Sequence, residues 1–140
     1  MVESARPPRR FEVVEVTGPS MVPTLLDGDR LVVRYGAAVR PGDIVVLRHP
    51  FQQDLLVVKR AVERRPGGSW WVLGDNPFNE TGDSTVYGAV PGELVLATAV
   101  LRFRPREEDQ RSLRARLSWA ASSLRVLRAD ASASSRLRAR

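Results

Sequence analysis

Residues 43–63 read Asp43-Ile-Val-Val-Leu-Arg-His-Pro-Phe-Gln-Gln-Asp-Leu-Leu-Val-Val-Lys-Arg-Ala-Val-Glu63. Two runs rich in β-branched residues, Asp43–Arg48 and Asp54–Glu63, flank a turn at Arg48-His49-Pro50. That composition and spacing predict paired strands rather than a helix. The pattern continues outward through Phe11–Val16, Arg30–Arg34, Ser69–Leu73 and Glu93–Arg104. Between the runs lie Asp27-Gly28-Asp29, Arg40-Pro41-Gly42-Asp43, Pro66-Gly67-Gly68, Gly74-Asp75-Asn76-Pro77 and Pro91-Gly92, all turn formers. No connection has room for a crossover helix, so antiparallel pairing in a small closed or folded-over sheet is expected. The fold class is mainly β.

The 140-residue chain is 43% hydrophobic and 27% charged, which suits one soluble globular domain. Cysteine is absent, so neither disulfides nor thiolate metal sites are available. His49 is the only histidine, and beside Pro50 it reads as a surface turn residue. No metal and no cofactor is expected. Catalysis therefore falls to hydroxyl, amine, carboxylate and backbone groups.

Residues 1–10 read as a flexible N-terminus and residues 11–106 as the folded β domain. No apolar core follows the early arginines, so a signal peptide is not indicated. No stretch approaches the roughly 18–20 apolar residues that cross a bilayer, and a cytoplasmic protein is expected. Most of the net charge of +6 lies in the tail, where residues 107–140 hold eight arginines against four acidic residues. Leu113, Leu117, Leu124 and Leu127 recur near helical spacing around Trp119. Residues 107–128 are accordingly read as a basic amphipathic helix and 129–140 as disordered. Such a helix packs on the sheet, stays solvated, or touches an anionic membrane surface or acidic partner.

Twenty-one of the 22 basic residues are arginine, and Lys59 is the exception. Arginine stays protonated, whereas a buried lysine can lose its proton and act as a base. Strand alternation puts Lys59 on one face with Leu55, Val57 and Ala61. In water a lysine of pKa about 10.4 is only ~0.04% neutral at pH 7. Desolvation among aliphatic groups raises that share. Asp54 and Glu63 lie too far along the strand to neutralise it. A sheet-edge lysine with its ammonium in water remains the plainer alternative.

Ser20 sits in Gly18-Pro19-Ser20-Met21-Val22-Pro23-Thr24-Leu25, where two prolines stiffen the chain on either side. Taken alone this is a turn after a strand. Beside Lys59 it also reads as a candidate nucleophile of the serine–lysine type, in which a neutral amine replaces the histidine of a triad.

A third cluster joins them: Leu73-Gly74-Asp75-Asn76, then Thr81, Asp83-Ser84 and Tyr87-Gly88. In order and spacing, the three pieces resemble the type I signal peptidase family of serine–lysine peptidases, across about residues 17–100. Ser20-Met21-Val22-Pro23-Thr24-Leu25 with Gly28-Asp29 resembles its nucleophile box, and Val58-Lys59-Arg60 its general-base box. The resemblance implies Ser20 as nucleophile and oxyanion donor through its backbone N–H, and Lys59 as general base. It implies supporting roles for Gly74, Asp75, Asn76, Thr81, Asp83 and Ser84, with the Thr81 hydroxyl reaching the lysine amine. Met21 is expected to line the substrate groove.

Two positions depart from the family pattern. Gly18 stands where many relatives carry a second oxyanion donor, so the hole rests more on backbone groups. Thr85 replaces the arginine that follows Asp83-Ser84, which leaves Asp83 to find a backbone or other partner.

The Arg48-His49-Pro50 turn, Trp70-Trp71 and the arginine-rich composition are similar to the maturation proteases of nickel-type superoxide dismutase. That similarity implies a precursor protein as partner, from which a leader peptide is removed. No nucleic acid partner is expected. Two other readings compete. A self-cleaving repressor-type peptidase would need an internal cleavage site upstream of Ser20, and no small-residue scissile pair stands there. A non-catalytic basic module would account for the tail but not for the solitary lysine.

Overall fold

A computed structural model describes residues 10–78, 82–105 and 124–130. Among the described residues seven strands follow one another: β1 (Phe11–Glu15), β2 (Arg30–Tyr35), β3 (Ile44–His49), β4 (Gln52–Arg65), β5 (Ser69–Leu73), β6 (Val95–Phe103) and β7 (Leu124–Val126). One helical turn, α1 (Ser84–Tyr87), lies between β5 and β6. All pairings are antiparallel, in the order β1-β2-β6-β3-β4-β5, with β7 also on β6. The expected mainly β, antiparallel fold is the one found.

β3 organises the interior because both of its faces are covered. Period-two alternation sends Ile44 and Val46 to one side and Val45 and Leu47 to the other, and all four are buried. Ile44 and Val46 pack with Leu31, Val33, Ala97 and Ala99, and with Val16, Met21 and Leu25 from the loop after β1. Val45 and Leu47 pack with Ala61, Trp70, Val72 and Val90. Two apolar layers thus share one central strand, and the loop carrying Ser20 is pinned to the first by Met21 and Leu25.

The same loop is closed by a buried charge. Asp29 is 1% exposed and receives two hydrogen bonds from Arg104, at 2.8 and 3.0 Å, and one from the Leu26 N–H at 2.8 Å. Burial by itself would raise the Asp29 carboxyl, but Arg104 and the Leu26 N–H outweigh it and hold the group below the usual carboxylate range.

The tail departs from expectation. Leu124–Val126 is a strand, with Leu101 opposite Val126 and Phe103 opposite Leu124. The helix expected through residue 128 does not include this segment. The cause is the free edge of β6: β3 pairs only with its first part, Val95–Thr98, which leaves backbone groups beyond it to be satisfied. Ala129 and Asp130 continue in contact with the domain rather than as a disordered end, for the Asp130 N–H donates to the Gly42 carbonyl at 3.2 Å. Residues 107–123 and 131–140 lie outside the described residues, with the expectations placed on them. Among the described residues, no helix is long and apolar enough to cross a membrane.

Asp29→Asn should lower stability at pH 7 by about 3 kcal/mol, because it leaves Arg104 facing an uncharged partner in a site built for a carboxylate. The folded-state pKa of Asp29 is depressed, so its contribution is complete above the unfolded value near 4 and is lost as pH falls through the folded value. Urea denaturation should therefore show the gap between the two proteins closing on acidification below about pH 4.

Candidate active site

Ser20 lies in the loop between β1 and β2, which is cross-braced along its length. The Val16 N–H donates to the Asp29 carbonyl at 2.7 Å and the Gly28 N–H to the Val16 carbonyl at 2.8 Å, closing its base. The Gly18 N–H donates to Asp27 at 2.8 Å. At the tip, Asn76 holds two successive carbonyls: its side chain donates to Pro19 and its backbone N–H to Ser20, each at 3.0 Å. A serine between these anchors has little freedom to move with its loop.

Gly74 must be glycine for this contact to exist. A β-carbon there would lie 2.6 Å from the Ser20 carbonyl oxygen and 3.7 Å from the Ser20 Cβ. The loop after β5 thus abuts the backbone of the serine directly.

Lys59 stands opposite Val45 in the β3–β4 register, so both side chains share the face of the second apolar layer. It is 4% exposed. Burial pushes its pKa below the usual lysine range, and the negative charge of Asp83 opposes that shift without cancelling it. The face predicted from alternation, with Val57 and Ala61, is the one observed.

Ser20 and Lys59 line one cleft of about 540 Å³. Its walls are residues 15–20 of the loop, residues 55–59 of β4, His49 and Gly82. His49 flanks the turn at residues 50–51, as expected, and also borders the cleft. It ends β3, its Nδ1 accepts from the Phe51 N–H at 3.1 Å, and its ring meets Tyr87 edge-on with centroids 5.1 Å apart. Burial, with Asp83 adding to it, pushes the Tyr87 phenol above its ordinary range. Met21, expected in the groove, is instead 1% exposed within the first apolar layer. The loop turns inward immediately after Ser20, so Met21 anchors the serine from beneath.

The supporting residues divide by partner. Asp83 caps α1 by accepting from the Thr85 N–H at 2.9 Å and from the Thr85 hydroxyl, so the residue standing in the arginine position supplies its partner. The Gly74 N–H reaches the other Asp83 oxygen at 3.5 Å. Ser84 is buried, and its hydroxyl accepts from the Val72 N–H at 2.8 Å, fastening α1 to β5. Thr81 lies outside the described residues.

Asp75 makes the contacts that the sequence did not disclose. Both of its oxygens are held by Arg60, Oδ1 from Nε at 2.8 Å and Oδ2 from Nη2 at 2.7 Å. The Thr24 hydroxyl donates to Oδ2 at 2.6 Å, and Arg60 Nη1 donates to the Gly42 carbonyl at 2.6 Å. Arg60 and Thr24 stood within the quoted boxes without assigned roles. The signal was available: Arg60 alternates with Lys59 and so faces away from the cleft, where a buried guanidinium needs a carboxylate.

A small antiparallel domain thus brings a braced loop serine and a buried strand lysine to one cleft, and the similarities that follow make it a signal peptidase-like protease. Residues 2–86 match the Peptidase S24-like family, and the chain belongs to it. Mitochondrial inner membrane protease subunit 1 of Xenopus tropicalis is 32% identical over 119 residues, covering 69% of this chain and 71% of the relative. The protein of that name in Schizosaccharomyces pombe is 31% identical over 118 residues, covering 68% and 74%.

Gly74→Ala should displace the Ser20 backbone and cost about 1–3 kcal/mol of stability, since the nearest atom is backbone and has no rotamer to yield. Peptide hydrolysis should fall further than the melting temperature alone accounts for. Equal activity per folded molecule would show that the close approach does not set the position of Ser20.

Proposed function

We propose that this chain is a serine endopeptidase in which Ser20 is the nucleophile and Lys59 the general base. The observation that carries the reading is a desolvated lysine sharing a cleft with a serine on a braced loop. The neutral amine of Lys59 takes the Ser20 proton as Oγ attacks the scissile carbonyl carbon. The oxyanion that forms is met by the Ser20 N–H, and both flanking carbonyls are drawn towards Asn76. Collapse breaks the C–N bond, and the Lys59 ammonium returns its proton to the departing amine. Lys59 then takes a proton from a water as its oxygen attacks the ester carbonyl; the acyl C–Oγ bond breaks, the ammonium returns that proton to Ser20 Oγ, and the acyl group leaves as the acid, which ionises to a carboxylate.

The substrate we favour is the leader peptide of a precursor protein, most closely that of nickel-type superoxide dismutase, processed in the cytoplasm. The similarity at Arg48-His49-Pro50 and Trp70-Trp71 supports this choice. The β4 wall at residues 55–58, all aliphatic, suits small or apolar side chains next to the scissile bond. The names of the relatives favour a second reading, processing of other precursors at a membrane. Co-expression with the dismutase precursor, read by mass, separates the two.

Ser20→Ala and Lys59→Arg should each reduce cleavage by at least about 10³-fold, since dyad members act as a unit. Normal processing by Lys59→Arg, which keeps the charge and cannot release a proton, would refute the general-base assignment.

A second prediction concerns pH. kcat/KM should rise with pH along an acid limb lying below the ordinary lysine value of about 10.4. Because the folded-state pKa of Lys59 is lowered, the unfolded chain holds the extra proton between the folded and ordinary values. Stability then increases with pH across that window. Lys59→Met should melt higher than the parent at neutral pH, with a smaller rise through the window, while losing activity.

A further inference from the structure

A second cavity, of about 510 Å³, opens on the side of the domain formed by the β2–β3 loop, β6 and the segment after β7. Three separate stretches of chain each contribute one arginine to it: Arg34 from β2, Arg40 from the loop, and Arg128 from the returning segment. Among the described residues none of the three guanidiniums is paired with a carboxylate. Among the described residues the one acid in the wall is Asp43, and its Oδ2 already accepts from the Arg40 backbone N–H at 2.8 Å. Its floor includes the small and apolar Ala99, Val100 and Leu127.

The concavity exists because the chain is fastened across it. The Leu127 N–H donates to the Val100 carbonyl at 2.9 Å, and the Asp130 N–H to Gly42. Gly42 has a φ of +98°, and a β-carbon there would sit 2.5 Å from the Asp130 backbone, so the clasp requires glycine. Three like charges gathered around one hollow repel one another and favour a bound anion. Guanidinium forks match phosphate oxygens in particular. The volume falls in the range of small-molecule sites, roughly 300–1,000 Å³, and exceeds what one inorganic phosphate fills.

We propose that this cavity is a binding site for a phosphate-bearing small group, an organic phosphate or a phospholipid headgroup, held by Arg34, Arg40 and Arg128. It is separate from the Ser20 cleft and does not depend on the peptidase reading. The test is calorimetric titration of the full chain with pyrophosphate and ATP at constant ionic strength. In parallel, sedimentation is measured with phosphatidylcholine vesicles with and without phosphatidic acid. Saturable one-site binding is expected. Arg34→Gln, Arg40→Gln and Arg128→Gln should each weaken it about tenfold or more. Arg30→Gln, the same charge change outside the cavity, should leave it unchanged, and melting curves should show all four variants folded. Binding of the soluble probes alone identifies an organic phosphate; binding confined to phosphatidic acid vesicles identifies a headgroup. Equal weakening by Arg30→Gln, or no binding of any probe, would overturn the proposal.

Discussion

The contact on which the site rests is the ion pair between Arg60 and Asp75, buried on both sides and completed by Thr24 and the Gly42 carbonyl. It ties β4, the turn after β5, the serine loop and the β2–β3 loop to one guanidinium. A buried charge pair is only weakly stabilising against an apolar substitute, but breaking one partner is costly, so it acts as a geometric lock. Lys59 and Arg60 are neighbours with opposite duties. The lysine is stripped of water on the cleft side; the arginine, on the other, holds the frame in which that lysine meets the serine loop.

That arrangement follows from β3 having two covered faces. The first layer supports the serine loop from below through Met21 and Leu25, and the second desolvates Lys59. The two halves of the site are thereby referred to one strand, although 39 residues separate them in sequence. Precise relative placement of two groups on different elements is what the proposed nucleophile and base require.

Several residues mark where sequence reasoning stopped. Alternation assigned the face of Lys59, because a strand repeats every two residues whatever surrounds it. It did not assign a partner to Arg60. That choice depends on the β4–β5 register, in which Arg60 opposes Leu73 and Asp75 lies two positions further on. The turn position of His49 was legible, but its neighbours Tyr87 and Gly82 were not, because they come from a turn more than thirty residues later. The family resemblance implies Met21 in the groove, but the loop reverses after Ser20 and buries it. Leu124 and Leu127 fit a helical stripe, while Leu124 and Val126 fit a strand equally well; the open edge of β6 decided.

The sequence alone determined the β class, the antiparallel pairing of short strands, the serine and lysine worth examining, and the glycine-bearing turns between them. These depend on local periodicity and turn chemistry, which each segment carries within itself. Tertiary structure decided which charges pair, which side of the loop a methionine takes, and that three distant arginines border one cavity. Those outcomes depend on register and on the competition of backbone edges for partners, and neither is encoded within a single stretch of chain.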